Sequence, residues 1–435
     1  LHLGELRPGD PVRLPPGPGV EPVTATPPGG GPAAPGEGRP GLGGPRVGVV
    51  AEQLLRPVPG GVGRYVRALA THLPVEAAVD RGAVEFLVAR HPAERLAAAG
   101  LPEASNRAPG GRHPTGRPPV ATTRPLPWPG RLVTRTWVTL RRPGLPGSVL
   151  EDLDLVHATS AAVPPARPRP LVATVHDLAF RHYPDAYPAA GRRYHERSAR
   201  IVADEAARVL VPSEATARDL AELYGVDRGR ITITPLGVEV PAEPDRAGAE
   251  RLLRDLGVRG PFLLAVGTLE PRKNLPRLLD AFGLVTDDLP DHWLVVVGPV
   301  GWGPRLRPTW DSVRVKLAGP VGDRLLHALY QAADGLAYPS LYEGFGLPVL
   351  EAMANGAPVL TGDRSSLPEV AGDAALLVDP LDRTAIAAGL VRLAGDDDLR
   401  RRLAEAGRRR AAGFTWRATA AATWATYREV AERPR

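Results

Sequence analysis

Two glutamates, Glu343 and Glu351, lie on either side of a loop that contains the glycines Gly344 and Gly346. The residues before the loop are typical of the end of a buried strand. Pro348 suits the start of a helix, because a missing N–H costs nothing there. Backbone N–H groups at a helix start bind anions, and glycines let a ligand come close to the backbone. Carboxylates beside such a site suit hydroxyl groups, so the stretch predicts a ligand with both phosphate and sugar or ribose. A plain strand-to-helix turn is the structural alternative for any one of these residues.

The segment from Glu343 to Glu351 reads EGFGLPVLE and resembles the paired-glutamate motif of glycosyltransferase family 4. Members of that family are retaining, nucleotide-sugar-dependent enzymes of the GT-B fold. Other parts of the family's pattern recur in order from about residue 46 to 430. The resemblance implies that Glu351 holds the ribose hydroxyls of the donor and that Glu343 holds hydroxyls of the transferred sugar. It also implies donor contacts from the loop residues Gly344, Phe345, Gly346 and Leu347.

Two neighbouring cations, Arg272 and Lys273, follow a predicted strand that ends at Gly267, and a predicted helix comes directly after them. A guanidinium fork and an ammonium point charge together suit a diphosphate. Lysine occurs at only two positions among the 54 basic residues, which makes its use at position 273 informative. A solvated surface pair is the alternative. The resembled family often has an arginine directly after the strand's glycine, where this chain has Thr268. The resemblance therefore implies that Arg272 and Lys273 bind the diphosphate without that arginine.

Candidate ligand-binding residues also follow two predicted strands in the first half of the chain. The strand of residues 171–177 ends in His176 and Asp177, and ligands of open α/β sheets bind outside such strand ends. The resemblance implies that His176 contacts the sugar near the reacting carbon. A glycine turn with Gly61 and Gly63 follows the strand of residues 46–50, but the third glycine of a dinucleotide fingerprint is missing. This argues against an NAD-dependent dehydrogenase, and the resemblance assigns Gly61 to the donor site.

Composition narrows the class of protein further. The chain has 435 residues, a net charge of +6 and no cysteine, which excludes disulfides and thiolate metal sites. The basic residues are nearly all arginine and accompany 50 prolines and 48 glycines, which indicates codon bias more than a nucleic-acid partner. Asp152 and Asp154 have metal-like spacing but precede their strand, so we expect metal-independent chemistry. No run of 18 apolar residues and no secretory signal is found, so we expect a cytoplasmic protein.

Strands and helices alternate from about residue 46 onward, which predicts an α/β protein with two doubly wound Rossmann-like domains. The resemblance implies that the two domains face a central cleft, as in the GT-B fold. Residues 1–45 are rich in proline and glycine and are predicted to form a disordered extension. We expect an acceptor-binding domain at 46–240 and a nucleotide-sugar-binding domain at 241–413. Residues 414–435 should form a C-terminal helix that crosses back to the first domain.

Residues 101–150 are predicted to be irregular, apart from an amphipathic helix at 131–142. Its arginines and Trp137 are available for a membrane surface or an acceptor. A packed helix with solvated arginines fits the same pattern.

These features predict a retaining, metal-independent hexosyltransferase that moves a sugar from a nucleotide-diphosphate donor to a glycan, lipid or small-molecule acceptor, as in cell-envelope polysaccharide biosynthesis. Residues 269–274 resemble mannosyl- and rhamnosyl-type members, which implies GDP-mannose as the donor, with no other cofactor. No second carboxylate stands out as a nucleophile. The resemblance therefore implies a front-face mechanism, in which the donor phosphate takes the acceptor's proton. A sugar-nucleotide epimerase of the same fold and a non-catalytic nucleotide-sugar-binding protein are the alternatives.

Overall fold

A computed structural model describes residues 43–56, 60–103, 120–301 and 314–432. Of the predicted extension, residues 1–42 lie outside this description. Seven strands in the first half of the chain form one parallel sheet in the spatial order β3-β2-β1-β4-β5-β6-β7. They are β1 (Arg46–Val50), β2 (Ala83–Val88), β3 (Ala121–Pro125), β4 (Leu155–Ala158), β5 (Leu171–Thr174), β6 (Ala206–Val211) and β7 (Ile231–Ile233).

Six strands in the second half form another parallel sheet, in the order β10-β9-β8-β11-β12-β13. They are β8 (Phe262–Val266), β9 (Trp293–Val297), β10 (Val315–Gly319), β11 (Gly335–Tyr338), β12 (Val359–Gly362) and β13 (Leu376–Val378). In both sheets the strand order reverses beside the first strand, and ligands of open α/β sheets bind at such a switch point. The prediction of two doubly wound domains is confirmed.

The helices connect the strands and cover the sheets. In the first half they are α1 (Gly60–Val79), α2 (Ala93–Ala98), α3 (Gly130–Thr139), α4 (Gly147–Leu150), α5 (Ala179–His182), α6 (Ala189–Glu205) and α7 (Glu214–Tyr224). In the second half they are α8 (Arg246–Asp255), α9 (Leu275–Gly283), α10 (Asp323–Ala332), α11 (Leu347–Ala354), α12 (Leu367–Ala371), α13 (Arg383–Gly395), α14 (Asp397–Ala411) and α15 (Trp416–Glu432). The central strands of each sheet are buried, which explains their near-continuous apolar sequences.

The structure differs from the sequence-based expectation in the region of residues 101–150, which contains the edge strand β3. This strand reads ATTRP and lacks the apolar run that marks the other strands. An edge strand needs only one paired side and tolerates proline at its end, here Pro125, so its sequence carries little strand signal.

The helix α3 lies within the segment that was predicted to be amphipathic. Trp137 is only 1% exposed, which agrees with the packed-helix alternative and not with a surface contact through Trp137. Its indole packs in the core because it lies on the same helical face as the buried Val133 and Val138. Leu132 and Leu140 are the exposed apolar residues of this segment.

The helix α15 packs against α1, the first helix of the chain's first half. The Trp424 indole donates a hydrogen bond to Asp80, at 2.8 Å. The Tyr427 hydroxyl and the His157 Nδ1 atom are 2.6 Å apart, and both residues are fully buried. The last helix therefore supplies part of the core around the seven-stranded sheet.

Candidate active site

Glu343 lies at the centre of a buried cluster of charges. Its Oε2 atom is 2.7 Å from Arg272 Nη1, and its Oε1 atom is 2.6 Å from Lys273 Nζ. The hydroxyls of Tyr338 and Ser340 also donate to Oε1, at 2.8 and 2.7 Å. Burial alone would raise the pKa of Glu343, but Arg272 and Lys273 outweigh it and lower the pKa to about 2. This glutamate is therefore a carboxylate at any physiological pH.

A second carboxylate, Glu270, balances the two cations. Its Oε1 atom forms an ion pair with Arg272 Nε at 2.7 Å, and its side chain is nearly as buried as that of Glu343. Burial raises the pKa of Glu270 and lowers that of Lys273. Two cations and two carboxylates thus share one low-dielectric site. An anionic ligand can bind here by taking over the cations from these carboxylates.

The cluster sits where β8 and β11 end, and backbone geometry holds it there. After β8, a single 3-10 turn, Pro271–Lys273, carries both cations. Asn274 ends the turn with φ of 60°, a left-handed conformation that asparagine tolerates. Asn274 stands at the N-cap position of α9, but its side chain makes no capping bond. Instead, its Nδ2 atom donates to the carbonyls of Pro339 and Pro380, at 3.0 and 2.6 Å, and ties the turn to two other loops.

The glycine loop contacts both halves of the chain. A Cβ atom on Gly344 would lie 1.8 Å from the His176 carbonyl oxygen, so only glycine allows this approach. The Ser213 hydroxyl donates to the Gly344 carbonyl at 2.7 Å and also accepts from Thr216 N, as the N-cap of α7. Gly346 has φ of 107° and forms the N-cap of α11. The loop that carries Glu343 is therefore held against β5 and α7.

Phe345 and Leu347 of this loop, which are also predicted to contact the donor nucleotide sugar, lie beside the cluster and make packing contacts. The Phe345 ring is buried and packs against Phe414, so its side chain is part of the core. Leu347 starts α11, and its Cδ1 atom is 3.4 Å from the position of a Cβ atom on Gly61. Gly61 lies in the first turn of α1, which begins at Gly60, earlier than the sequence suggests. The starts of α1 and α11 thus face each other.

Glu351, in the second turn of α11, is bound by a residue that the sequence did not single out. Arg64 of α1 forms an ion pair with Glu351 through Nη1 and with Asp323 through Nη2, the latter at 3.0 Å. Tyr330 donates to the other oxygen of Glu351 at 3.2 Å. Glu351 is 4% exposed and lines a cavity of about 290 Å³. Arg64 follows the predicted glycine turn directly, and that position was the only available signal for its role.

His176 lies at the end of β5, beside Gly344. Its Nε2 atom donates to the Thr159 carbonyl at 2.9 Å, which leaves Nδ1 as the acceptor. Burial lowers the pKa of His176, so the imidazole is neutral near pH 7. The Tyr65 ring lies edge-on, with ring centroids 5.0 Å apart. Tyr65 in turn bonds to Thr174, and Thr174 to His157, in a buried chain that fixes the position of His176.

A cavity of about 270 Å³, which we call the His176 cavity, opens next to this histidine. Its polar lining consists of Gln53, Arg56, Ser160, Thr174, His176, Asp177, Tyr194, His195 and Ser198. The structure thus brings Glu343, Arg272, Lys273 and the glycine loop together. His176 adjoins them through the backbone contact at Gly344.

No cluster of metal-ligating side chains occurs among the described residues. Asp152 instead pairs with Arg124 at 2.9 Å, and Asp154 accepts the Arg46 backbone N–H at the same distance. Within the described ranges, none of the helices combines the length and apolar character needed to cross a bilayer.

Solved structures match this arrangement along most of the chain. Anabaena HepE in complex with UDP and glucose aligns with a TM-score of 0.61 over 88% of this chain and 98% of that chain, at 18% identity. Two doubly wound parallel-sheet domains that align with this structure along most of the chain define the GT-B fold.

Sequence relatives narrow the class to one family. The Glycosyltransferase Family 4 model matches residues 59–240, and the model described as Glycosyl transferases group 1 matches residues 254–410. O-antigen chain mannosyltransferase B of Escherichia coli is 34% identical over 263 residues, which cover 58% of this chain and 68% of that protein. D-inositol 3-phosphate glycosyltransferase of Salinispora tropica is 36% identical over 276 residues, 57% of this chain and only 56% of that protein. The chain belongs to glycosyltransferase family 4, as the paired-glutamate motif predicted.

Proposed function

We propose that this protein transfers a sugar, with retention of configuration, from a nucleotide-diphosphate donor to a hydroxyl of a glycan, lipid-linked or small-molecule acceptor. The observation that supports this most is the buried cluster of Arg272, Lys273, Glu270 and Glu343 beside the glycine loop. A diphosphate that enters the cluster replaces carboxylate oxygens on both cations. The cations then stabilise the negative charge that develops on the leaving diphosphate as the glycosidic bond breaks.

The two glutamates take different parts of the donor in this proposal. Glu343 turns from the cations to hydroxyls of the transferred sugar once the diphosphate neutralises Arg272 and Lys273. Glu351 accepts hydrogen bonds from the ribose hydroxyls, with Tyr330 fixing its second oxygen. Backbone N–H groups at Gly346 and Leu347, at the start of α11, add to the anion site. Gly61 contributes close approach from the opposite helix start.

His176 contacts the sugar near the reacting carbon in this arrangement. Its neutral imidazole carries no charge that would oppose the positive charge developing on the sugar ring. The acceptor hydroxyl attacks from the same side as the departing diphosphate, and a donor phosphate oxygen takes its proton. We assign acceptor binding to residues 46–240 and donor binding to residues 241–413, with 414–435 as the segment that joins the second part back to the first.

We propose GDP-mannose as the donor, because the stretch Leu269 to Asn274 resembles mannosyl-type members and one relative, O-antigen chain mannosyltransferase B, is named for mannose transfer. We also propose that the enzyme works in the cytoplasm at the inner face of a membrane. The exposed Leu132 and Leu140 of the α3 segment would contact lipid there, in place of the buried Trp137.

A panel of nucleotide sugars tests the proposed function. Each donor is incubated with methyl glycosides and with a polyprenyl-phosphate sugar, with and without a chelator. We expect GDP release that depends on GDP-mannose and an acceptor together and that survives the chelator. An altered sugar nucleotide without an acceptor would indicate an epimerase, and binding without turnover would indicate a non-catalytic protein. Activity that a chelator removes and magnesium or manganese restores would contradict metal-independent transfer.

A further inference from the structure

Asp177 stands between the His176 cavity and the cation cluster. It follows β5 directly and lines the cavity beside His176 and His195. A Cβ atom on Gly344 would lie 2.8 Å from the Asp177 Cβ atom, so the loop that carries Glu343 packs directly on this residue. Asp177 therefore has a fixed position relative to the donor-binding loop. It is the carboxylate among the described residues that line this cavity.

One side of the Asp177 carboxylate is used in local structure and the other is available. Its Oδ1 atom accepts a hydrogen bond from the Ala179 N–H at 3.1 Å. In the parts of the chain that the structure describes, no basic side chain forms an ion pair with Asp177. The second oxygen, Oδ2, thus remains as an acceptor at the wall of the cavity. A carboxylate oxygen accepts hydrogen bonds and cannot donate them, so its partner must carry an O–H or N–H.

The negative charge of Asp177 acts on both sides of the cleft. Burial would lower the pKa of Arg272, but Glu343, Glu270 and Asp177 raise it well above its usual value. On the cavity side, burial lowers the pKa of His195, and Asp177 opposes that shift. The residue is therefore close to the diphosphate cations and to the far wall of the cavity at once. An acceptor hydroxyl must occupy this position in order to reach the sugar.

We propose that Asp177 binds the acceptor through a hydroxyl next to the one that attacks. This inference rests on the proposed function and adds the acceptor's chemical class: a neutral pair of neighbouring hydroxyls, as in a sugar or polyol. A phosphate at this point would be repelled by the carboxylate. In the transfer step, the bond between the acceptor oxygen and the anomeric carbon forms, and the bond to the diphosphate breaks. The proton of the attacking hydroxyl passes to the departing phosphate, so Asp177 exchanges no proton.

The test uses Asp177→Asn in the full chain, with GDP-mannose or the donor selected by the panel, and methyl α-mannoside as the acceptor probe. Asparagine keeps the size of the side chain and removes its charge. We expect kcat/KM for the methyl mannoside to fall about 10- to 100-fold, mainly through KM, as for a hydrogen bond to a charged group. Hydrolysis of the donor by water, which has no second hydroxyl, should keep its rate. GDP affinity, measured by calorimetry, should not fall, because the removed charge lies near the diphosphate cations and can only oppose GDP binding.

Asp185→Asn is the matched control, because Asp185 is exposed and lines neither cavity. An unchanged acceptor KM in Asp177→Asn would overturn the inference and leave the proposed function standing. An equal loss of donor hydrolysis and transfer would also overturn it, since Asp177 would then act on the donor or on folding. Absence of transfer by the unsubstituted chain would overturn the proposed function and this inference together.

Discussion

The two glutamates of the motif are held in contrasting ways. Among the described residues, the groups that bind the Glu343 carboxylate come from its own half of the chain, from the end of β11 and the segments after β8 and β11. Glu351 takes its charged partner, Arg64, from α1 of the other half. The first glutamate is therefore positioned by one domain alone. The second carries a charged contact between the two halves of the chain, so a ribose that binds Glu351, as we propose, would compete with that contact.

The largest expected effect comes from the cation that Glu343 holds. Lys273→Ala should lower the rate of transfer about 100- to 1,000-fold, because one stabilising interaction with the leaving diphosphate is lost. Arg272 remains to balance Glu343, so the fold should be intact by circular dichroism. Lys316, the other lysine, lies over the Trp293 ring away from the site, and Lys316→Ala serves as the control. Turnover of Lys273→Ala within a few-fold of the unsubstituted enzyme would remove Lys273 from the diphosphate site.

Glutamine substitutions separate the two glutamates directly. Glu343→Gln should raise the barrier of the transfer step by about 1.5–3 kcal/mol without weakening GDP binding, because in the proposed function Glu343 holds the sugar as the bond breaks and competes with the diphosphate for the cations. Glu351→Gln should weaken GDP and donor binding by a similar amount, because it holds the ribose in both ligands. For each variant, the affinity for GDP is measured by calorimetry and the turnover rate is measured in parallel. Equal weakening of GDP binding in the two variants would contradict this division of roles.

Arg64→Gln should have a smaller effect on the affinity for GDP, and it should strengthen GDP binding instead of weakening it. Arg64 occupies Glu351 in the ligand-free protein, so a ribose must displace it. A half-exposed ion pair contributes about 0.2–1 kcal/mol, and its removal should tighten GDP binding up to about fivefold. The Arg67→Gln variant is the control, because Arg67 lies on the same helix and lines the same cavity without touching Glu351. Weaker GDP binding in Arg64→Gln would show that Arg64 assists the donor instead.

The last comparison concerns stability and not activity: the two halves of the chain should differ in acid sensitivity. Burial lowers the pKa of His157 from 6.5 to about 3, so its contribution to stability is complete above pH 6.5 and is lost as the pH falls toward 3. The contribution of Glu343, whose pKa falls from 4.5 to about 2, is lost in a lower window. The free energy of unfolding, measured with denaturant at a series of pH values, should therefore vary less with pH above pH 4.5 in His157→Asn than in the unsubstituted protein. Glu343→Gln should show no such change in that range. A matching change there in Glu343→Gln would contradict the assignment.

Much of the fold followed from the sequence, because buried parallel strands are apolar throughout and helices alternate with them. The part of the site in the second half of the chain could also be predicted from the sequence, since Arg272, Lys273 and the glycine loop are each marked by local spacing. Arg64 was not, because its pairing with Glu351 joins residues 287 positions apart and leaves no local pattern. Glu270 and Tyr338 escaped notice for a related reason: their importance comes from sharing one buried volume with Glu343. The roles assigned to individual site residues stay predictions.

The return of α15 to α1 has a consequence for how the chain is made. His157 lies in β4 of the first sheet, yet its Nδ1 partner, Tyr427, is 270 positions further along the chain and leaves the ribosome after the whole second domain. The same holds for Trp424, the partner of Asp80. During synthesis, part of the core of the first domain therefore stays exposed to solvent until the whole second domain and α15 have emerged from the ribosome. Emergence of α15, rather than synthesis of residue 240, is therefore the event that completes the first domain.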